Sequence, residues 1–239
     1  MEAWREDQLN ALLVPDGQDD LFGTIAGMVR ALGFEHCAYG VRAPLPLAQP
    51  EIVMLNDYPE IWRKRYQDNN YLQVDPTVRQ GAASLDAFAW SNGDDPLDPA
   101  AAFWEDARLH DITCGVSLPA LAANSVRGML TLTRGGTRLD PLELRARWPQ
   151  LLWLGQVAHH GLAREMLARW RATSREALSG REVEILRWVA EGHTNRQIAA
   201  RFNITERTVN FHLNNAMTKL DVGNRTAAAV RAVVLGIIA

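Results

Sequence analysis

The stretch from 178 to 230 reads LSGREVEILRWVAEGHTNRQIAARFNITERTVNFHLNNAMTKLDVGNRTAAAV. Helix-start signals recur in it at short intervals. Ser179-Gly-Arg-Glu182 has the spacing of a capping box, in which serine hydroxyl and glutamate carboxylate satisfy each other's exposed backbone N–H groups. Val183, Leu186, Val189 and Ala190 follow at helical spacing, and Gly192 closes that helix. Thr194-Asn-Arg-Gln197 is a second box, leading into Ile198, Ala199 and Phe202. After a break at Asn203-Ile204, Thr205 caps a third helix. Asn224 caps a fourth, which carries Ala227, Val230, Val233 and Val234 and stops near Gly236.

Four short helices with a tight break between the second and third predict an all-α helix-turn-helix module over 179–239. In the third helix Val209, Leu213, Ala216 and Leu220 fall on one apolar face. Arg207, Asn210, Asn214 and Thr218 fall on the other. Asparagine pairs with adenine and arginine with guanine or phosphate, so this face suits base reading. Arg196, Arg201, Lys219 and Arg225 are candidates for the phosphate backbone. Thr194, Thr205 and Thr208 complete the candidate contact set. His212 reads as a packed core histidine, and His159-His160 as helix surface.

Charge separates this part from the rest. Residues 174–239 hold nine Lys+Arg and six Asp+Glu, a net of +3, and the remainder nets −6, which sums to the chain's −3. A basic last part behind an acidic first part points the polyanion partner, double-stranded DNA, at the last part. All eleven prolines lie before residue 150. The expected organisation is a first domain over 1–170, a linker over 171–178 and the module after it. The chain lacks a long apolar run, and its acidic start lacks the basic and apolar regions of a signal peptide, so a cytoplasmic protein without a membrane span is expected. Cys37 and Cys114 form no CxxC and read as reduced, buried thiols.

The first 170 residues alternate helical and strand-like segments. LFGTIAGMVRALGF (21–34) is amphipathic; HCAYGVRA and EIVML read as strands; PEIWRKRYQDN is helical; AFAW is a short strand. AAFWEDARLH is helical, CGVSLPA and GMLTLTR are strands, and one or two long helices follow from Leu139. The expected fold is an α-β-α sandwich: an antiparallel sheet flanked by helices. The placement of Asp19-Asp20 before a helix instead of after a strand argues against a phosphorylation receiver. VDPTV (74–78) sets one carboxylate among aromatics. Asp75-Pro76 admits two readings, an Asx-Pro turn or a carboxylate aimed into an apolar pocket.

The C-terminal stretch resembles the DNA-binding domain of LuxR-type transcription regulators, through Glu182, Leu186, Gly192, Thr194, Ile198, Ala199, Thr208, Val209, His212, Leu220, Asn224, Arg225 and Ala228. The family often carries lysine where this chain has His193 and Asn210, so its operator preference is not carried over. The first part resembles the acyl-homoserine-lactone-binding domain of the quorum-sensing branch, through YPEIWRKRY (58–66), DPTV (75–78), Trp90, FWEDA (103–107), CGVSLP (114–119) and GMLTLT (128–133).

That resemblance implies a set of ligand contacts. Trp62 donates to the lactone carbonyl, Asp75 accepts from the amide N–H, and Tyr58 donates to the amide carbonyl with help from Thr131 or Ser117. Tyr66 lies along the acyl chain, Thr77 sits beside Asp75, and Trp90, Phe103 and Trp104 wall the ring. Small residues at Ala38 and Gly40 leave room for a medium or long chain. The implied protein is a dimeric regulator reading a pseudo-palindromic promoter site, with RNA polymerase as partner if it activates, and with no cofactor beyond the signal. Two other readings stand beside it: a signal-independent or sequestering regulator acting through mixed dimers, and a lactone-processing enzyme. The second lacks a G-x-S-x-G elbow around Ser117 and any histidine metal cluster.

Overall fold

The computed structural model describes residues 20–42, 52–92, 99–122, 126–136, 138–172 and 177–238. Described residues up to Ala163 form one compact unit and those from Arg164 a second.

The first unit is built on five strands: β1 (His36–Arg42), β2 (Ile52–Asn56), β3 (Phe88–Ser91), β4 (Cys114–Leu121) and β5 (Arg127–Arg134). Their order is β2-β1-β5-β4-β3, and every neighbouring pair is antiparallel. Helices are α1 (Leu21–Ala31), α2 (Glu60–Asp68), α3 (Pro76–Ala83), α4 (Ala101–Leu109) and α5 (Pro141–Ala172), the last belonging to this unit as far as Ala163. Strand alternation divides the sheet into two faces. Cys37, Tyr39 and Val41 of β1, with Leu130 and Leu132 of β5, are buried on one face. The apolar residues of α1 (Ile25, Met28, Val29) and α5 (Leu151, Leu154, Ala158, Leu162) are buried as well. Arg134 ties β5 to the start of α5 by a two-pronged bond to Glu143, at 3.0 and 2.9 Å.

The antiparallel sheet with flanking helices agrees with the sequence expectation. Helix α5 is a single element with Pro149 inside it. Both cysteines are buried and neither is in a disulfide. One expectation is corrected. His159 does not lie on the helix surface; it is 2% exposed. Its Nε2 lies 3.1 Å from the carbonyl of Val126 and its Nδ1 2.8 Å from the Tyr39 hydroxyl. A carbonyl only accepts, so Nε2 carries the proton and Nδ1 receives the bond from Tyr39. Burial holds His159 below the usual imidazole range. Its neighbour His160 is exposed.

The second unit holds α6 (Gly180–Ala190), α7 (Asn195–Phe202), α8 (Glu206–Lys219) and α9 (Arg225–Val234). Both capping boxes are formed, with Ser179 and Glu182 satisfying one another's backbone and Thr194 and Gln197 doing the same. Thr205 and Asn224 accept from Thr208 N and Ala227 N. Asn203, at φ 52°, takes the left-handed turn between α7 and α8. Ile185, Leu186, Ile198, Val209, Leu213, Ala216 and Leu220 form the core of this unit, so the stripes predicted for α6, α7 and α8 face inward apart from Ala190, which is exposed. In α9 the predicted face is corrected: Val230 and Val233 are exposed, and Ala228, Ala229 and Ala232 are buried instead.

Candidate functional site

A cavity of about 330 Å³ lies against the second face of the sheet. Its floor is set by strand register. Asn56, Ala38, Thr131, Ser117 and Phe88 stand in one row across the sheet. Met54, Gly40, Met129 and Pro119 form the next. A third row contributes Ile52 and Arg42 from β2 and β1 and Arg127 from β5. Rows two residues apart are about 7 Å apart, so Thr131 to Arg127 spans about 13 Å.

The walls come from the helices. Helix α2 presents Trp62 and Tyr66 one turn apart, as their spacing predicted. Trp62 is 3% exposed and packs near Tyr66, Tyr71 and Phe103, with ring centroids about 6 Å apart in each case. Helix α4 supplies Phe103 and Trp104, the latter 5.6 Å from Trp90. The Trp90 indole donates to Ser117 Oγ at 3.1 Å, and Ser117 meets Thr131 Oγ1 at 3.1 Å. Tyr58, Trp62, Tyr66, Asp75, Thr77, Trp90, Phe103, Trp104, Thr131, Ala38 and Gly40 therefore line one space. Ser117 lies beneath it, fully buried, and reaches it through Trp90 and Thr131.

Asp75 resolves its two readings in an unforeseen way. It is the N-cap of α3, with Pro76 in the first helical turn. Its Oδ1 accepts from Thr77 N at 2.8 Å and from Thr77 Oγ1 at 2.7 Å. Its Oδ2 accepts from the Tyr66 hydroxyl at 2.9 Å. Tyr66, expected along the acyl chain, thus also braces the carboxylate. The Val78 backbone also bonds the carboxylate, so most of its roughly four acceptor positions are taken, in a residue that lines the cavity. Asp75 is 7% exposed, and burial pushes its carboxyl above the usual carboxylate range against the pull of the Thr77 and Tyr66 bonds.

Sequence reasoning missed several lining residues: Asn56, Met54, Ile52, Gly81 and Arg127. Asn56 Oδ1 is buried and has no hydrogen-bond partner among the described residues. The alternation of 52, 54 and 56 was a usable signal, but the pairing of β2 with β1 that aims it at the cavity was not visible.

In the second unit, Arg207, Asn210, Asn214 and Thr218 are exposed on α8, as predicted. Arg196, Thr194 and Thr205 are exposed nearby in sequence, and Thr208 is half-buried. The other cations are partly committed inside the unit. Lys219 Nζ lies 3.0 Å from Glu182 Oε2. Arg225 donates to His193 O at 2.6 Å and Asn195 Oδ1 at 3.1 Å. Arg201 stacks over the Trp188 ring at 3.9 Å. His212 is half-buried against Phe211.

Residues 17–162 match the autoinducer binding domain, and residues 176–232 match the bacterial regulatory proteins of the luxR family. The chain belongs to the LuxR family. Within it, the chain is 41% identical to the transcriptional activator protein AnoR of Acinetobacter nosocomialis, over the whole of both chains. Among solved structures it resembles SdiA of Escherichia coli, with a TM-score of 0.80, 30% identity and coverage of 99% and 98% of the two chains. It also resembles CepR2 of Burkholderia cenocepacia, described as an N-acylhomoserine-lactone-dependent LuxR family factor, with a TM-score of 0.59 and 32% identity over 67% of this chain and 93% of that one. The protein is a LuxR-family quorum-sensing regulator, with an autoinducer-binding part and a helix-turn-helix part. Among the described residues no helix is long and apolar enough to cross a membrane.

Proposed function

We propose that the cavity binds an N-acyl-homoserine lactone and that this binding controls attachment to promoter DNA. The observation that carries the reading is Asp75, a buried carboxylate that lines the cavity beside the aromatic side chains of Tyr58, Trp62 and Tyr66. Such a group suits a buried amide N–H. Trp62 would donate to the ring carbonyl and Tyr58 to the amide carbonyl, supported by Thr131 and Ser117. Trp90, Phe103 and Trp104 would enclose the ring. The run of about 13 Å toward Arg127 past Ala38 and Gly40 suits a medium or long acyl chain. The lactone dependence of CepR2 supports the ligand class.

Folding couples to that binding. The space is partly open and lined by polar as well as apolar groups, so a ligand that fills it gives packing partners to side chains that otherwise meet solvent. A ligand that fills the space and binds only the folded state shifts the balance toward folding. On this reading 1–170 is the signal domain, 171–178 the linker and 179–239 the DNA module.

The regulator then acts as a homodimer in the cytoplasm, placing two copies of α8 in successive major grooves of a pseudo-palindromic site. Arg207, Asn210 and Asn214 would face bases, with Thr194, Arg196, Thr205 and Thr208 toward the backbone. The relatives named as activators support RNA polymerase as the downstream partner. No enzymatic step and no cofactor are assigned. The test is thermal melting and gel shift with and without a panel of lactones. Intact lactone recovered after incubation would separate binding from processing.

A further inference from the structure

We propose that Arg225 and Asn195 are positioning residues that fix which end of the Asn210 amide meets DNA. Asn210 then presents N–H donors, favours guanine and thymine over cytosine, and loses the two-ended pair with adenine. The inference rests on the reading that α8 enters the major groove.

The chain of bonds runs in one direction only. A guanidinium donates and never accepts. Arg225 Nη1 lies 3.1 Å from the Asn195 amide, so the atom that faces it is the carbonyl oxygen, Oδ1. Arg225 Nη2 is anchored at the same time on the backbone carbonyl of His193, at 2.6 Å, which holds the guanidinium in place. With its oxygen turned to Arg225, Asn195 has only its NH₂ left for Asn210. An amide NH₂ also only donates, so the Asn210 atom facing it at 2.6 Å is Oδ1. Asn210 Nδ2 is therefore the end directed away from the relay, on an exposed residue. Amide orientation is normally a matter of assignment, because oxygen and nitrogen look alike. Here it follows from the donor-only character of arginine.

The consequence is a base preference. An unconstrained asparagine pairs with adenine through both amide ends, accepting from N6 and donating to N7. With Oδ1 drawn to Asn195, the accepting half of that pair is weakened. Guanine O6 and thymine O4 are acceptors in the major groove, whereas adenine N6 and cytosine N4 are donors. A donating Asn210 therefore disfavours cytosine, which offers no acceptor there, while adenine keeps a single bond at N7 and loses the two-ended pair.

The relay can be reversed by one atom. In Asn195→Asp the residue keeps its shape and its bond from Arg225 but has no N–H to donate. Asn210 then turns its NH₂ inward and its oxygen outward. Position 195 opens α7, where a carboxylate is favourable next to the helix N-terminus, so the variant folds. The added negative charge lowers affinity for all sequences alike and leaves the base pattern readable.

The experiment uses full-length protein expressed with a mixture of short-, medium- and long-chain N-acyl-homoserine lactones and a randomised duplex pool. Bound sequences are read for the wild type, Asn210→Ala, Asn195→Asp and Asn195→Ala, with melting temperatures for each. Asn210→Ala is expected to flatten one position of the half-site. Asn195→Asp is expected to invert that position, from roughly ten-fold for guanine or thymine over cytosine to a preference for the amino bases. Asn195→Ala is expected to weaken the preference without inverting it. An unchanged pattern in Asn195→Asp, or an Asn210→Ala variant that flattens no position, overturns the relay. A wild type that enriches no sequence overturns instead the DNA-binding reading on which it rests.

Discussion

Replacing Asp75 with asparagine separates signal binding from folding more cleanly than any other change. The carboxylate caps α3 through Thr77 N, and asparagine caps a helix about as well as aspartate. Its oxygen can keep Thr77, and its NH₂ can donate to the Tyr66 hydroxyl, which then turns its own hydrogen elsewhere. The ligand-free fold therefore loses little. It also sheds a buried carboxylate whose ionised form burial disfavours, so its melting temperature at neutral pH should equal or exceed that of the wild type. The raised carboxyl takes up its proton more readily folded than unfolded, so this difference should shrink as pH falls toward the carboxylate range. Ligand binding responds in the opposite direction. A hydrogen bond to a charged group contributes about 1.5–3 kcal/mol, and its loss weakens the lactone by about ten- to a hundred-fold. The assay is a lactone dose–response in a promoter reporter, paired with melting curves of the purified protein. A midpoint unchanged within about three-fold would show that Asp75 is a helix cap and nothing more.

Three further outcomes follow from particular contacts. A Cβ at Gly128 would meet His159 Nδ1 at 2.7 Å and the Tyr39 hydroxyl at 2.9 Å, so Gly128→Ala should cost about 1–3 kcal/mol and lower soluble yield. A Cβ at Gly81 would overlap the Met129 sulfur, so Gly81→Ala should push Met129 into the cavity and shift lactone preference toward shorter chains, read from a dose–response panel. His159 is held neutral by burial, so the folded protein binds fewer protons than the unfolded one. Its contribution is complete above the unfolded histidine value of about 6.5 and is lost as pH falls from there toward its lower folded value, at up to about 1.4 kcal/mol per pH unit. Melting temperature should fall between neutral pH and pH of about 5 more steeply in the wild type than in His159→Gln, and parallel curves would remove His159 from the account.

Much of this was legible in the chain itself, and the exceptions have physical reasons. Helix caps are local, so Ser179–Glu182, Thr194–Gln197, Thr205 and Asn224 could be read directly, and all form. Strand alternation made the two faces of β1 and β5 readable. Helix α3 was not foreseen, because an aspartate before proline starts a turn and a helix equally well, and the eight residues that follow make only about two turns. His159 was misread because its partner Tyr39 lies 120 residues away, while its neighbour His160 is exposed. Asn56 was missed for a similar reason: its face is set by pairing with Ala38, a long-range register. Lys219 and Arg225 read as free cations because sequence alone cannot say whether a cation meets phosphate or a neighbouring carbonyl and carboxylate.

The coupling of signal to DNA is the central claim. It is tested most directly by titrating a promoter duplex with purified full-length protein, with and without each member of an N-acyl-homoserine lactone series. The account predicts that at least one lactone both raises the melting temperature and changes DNA affinity, and that Asp75→Asn blunts both. A protein whose stability and DNA affinity respond to no lactone in the series would contradict it.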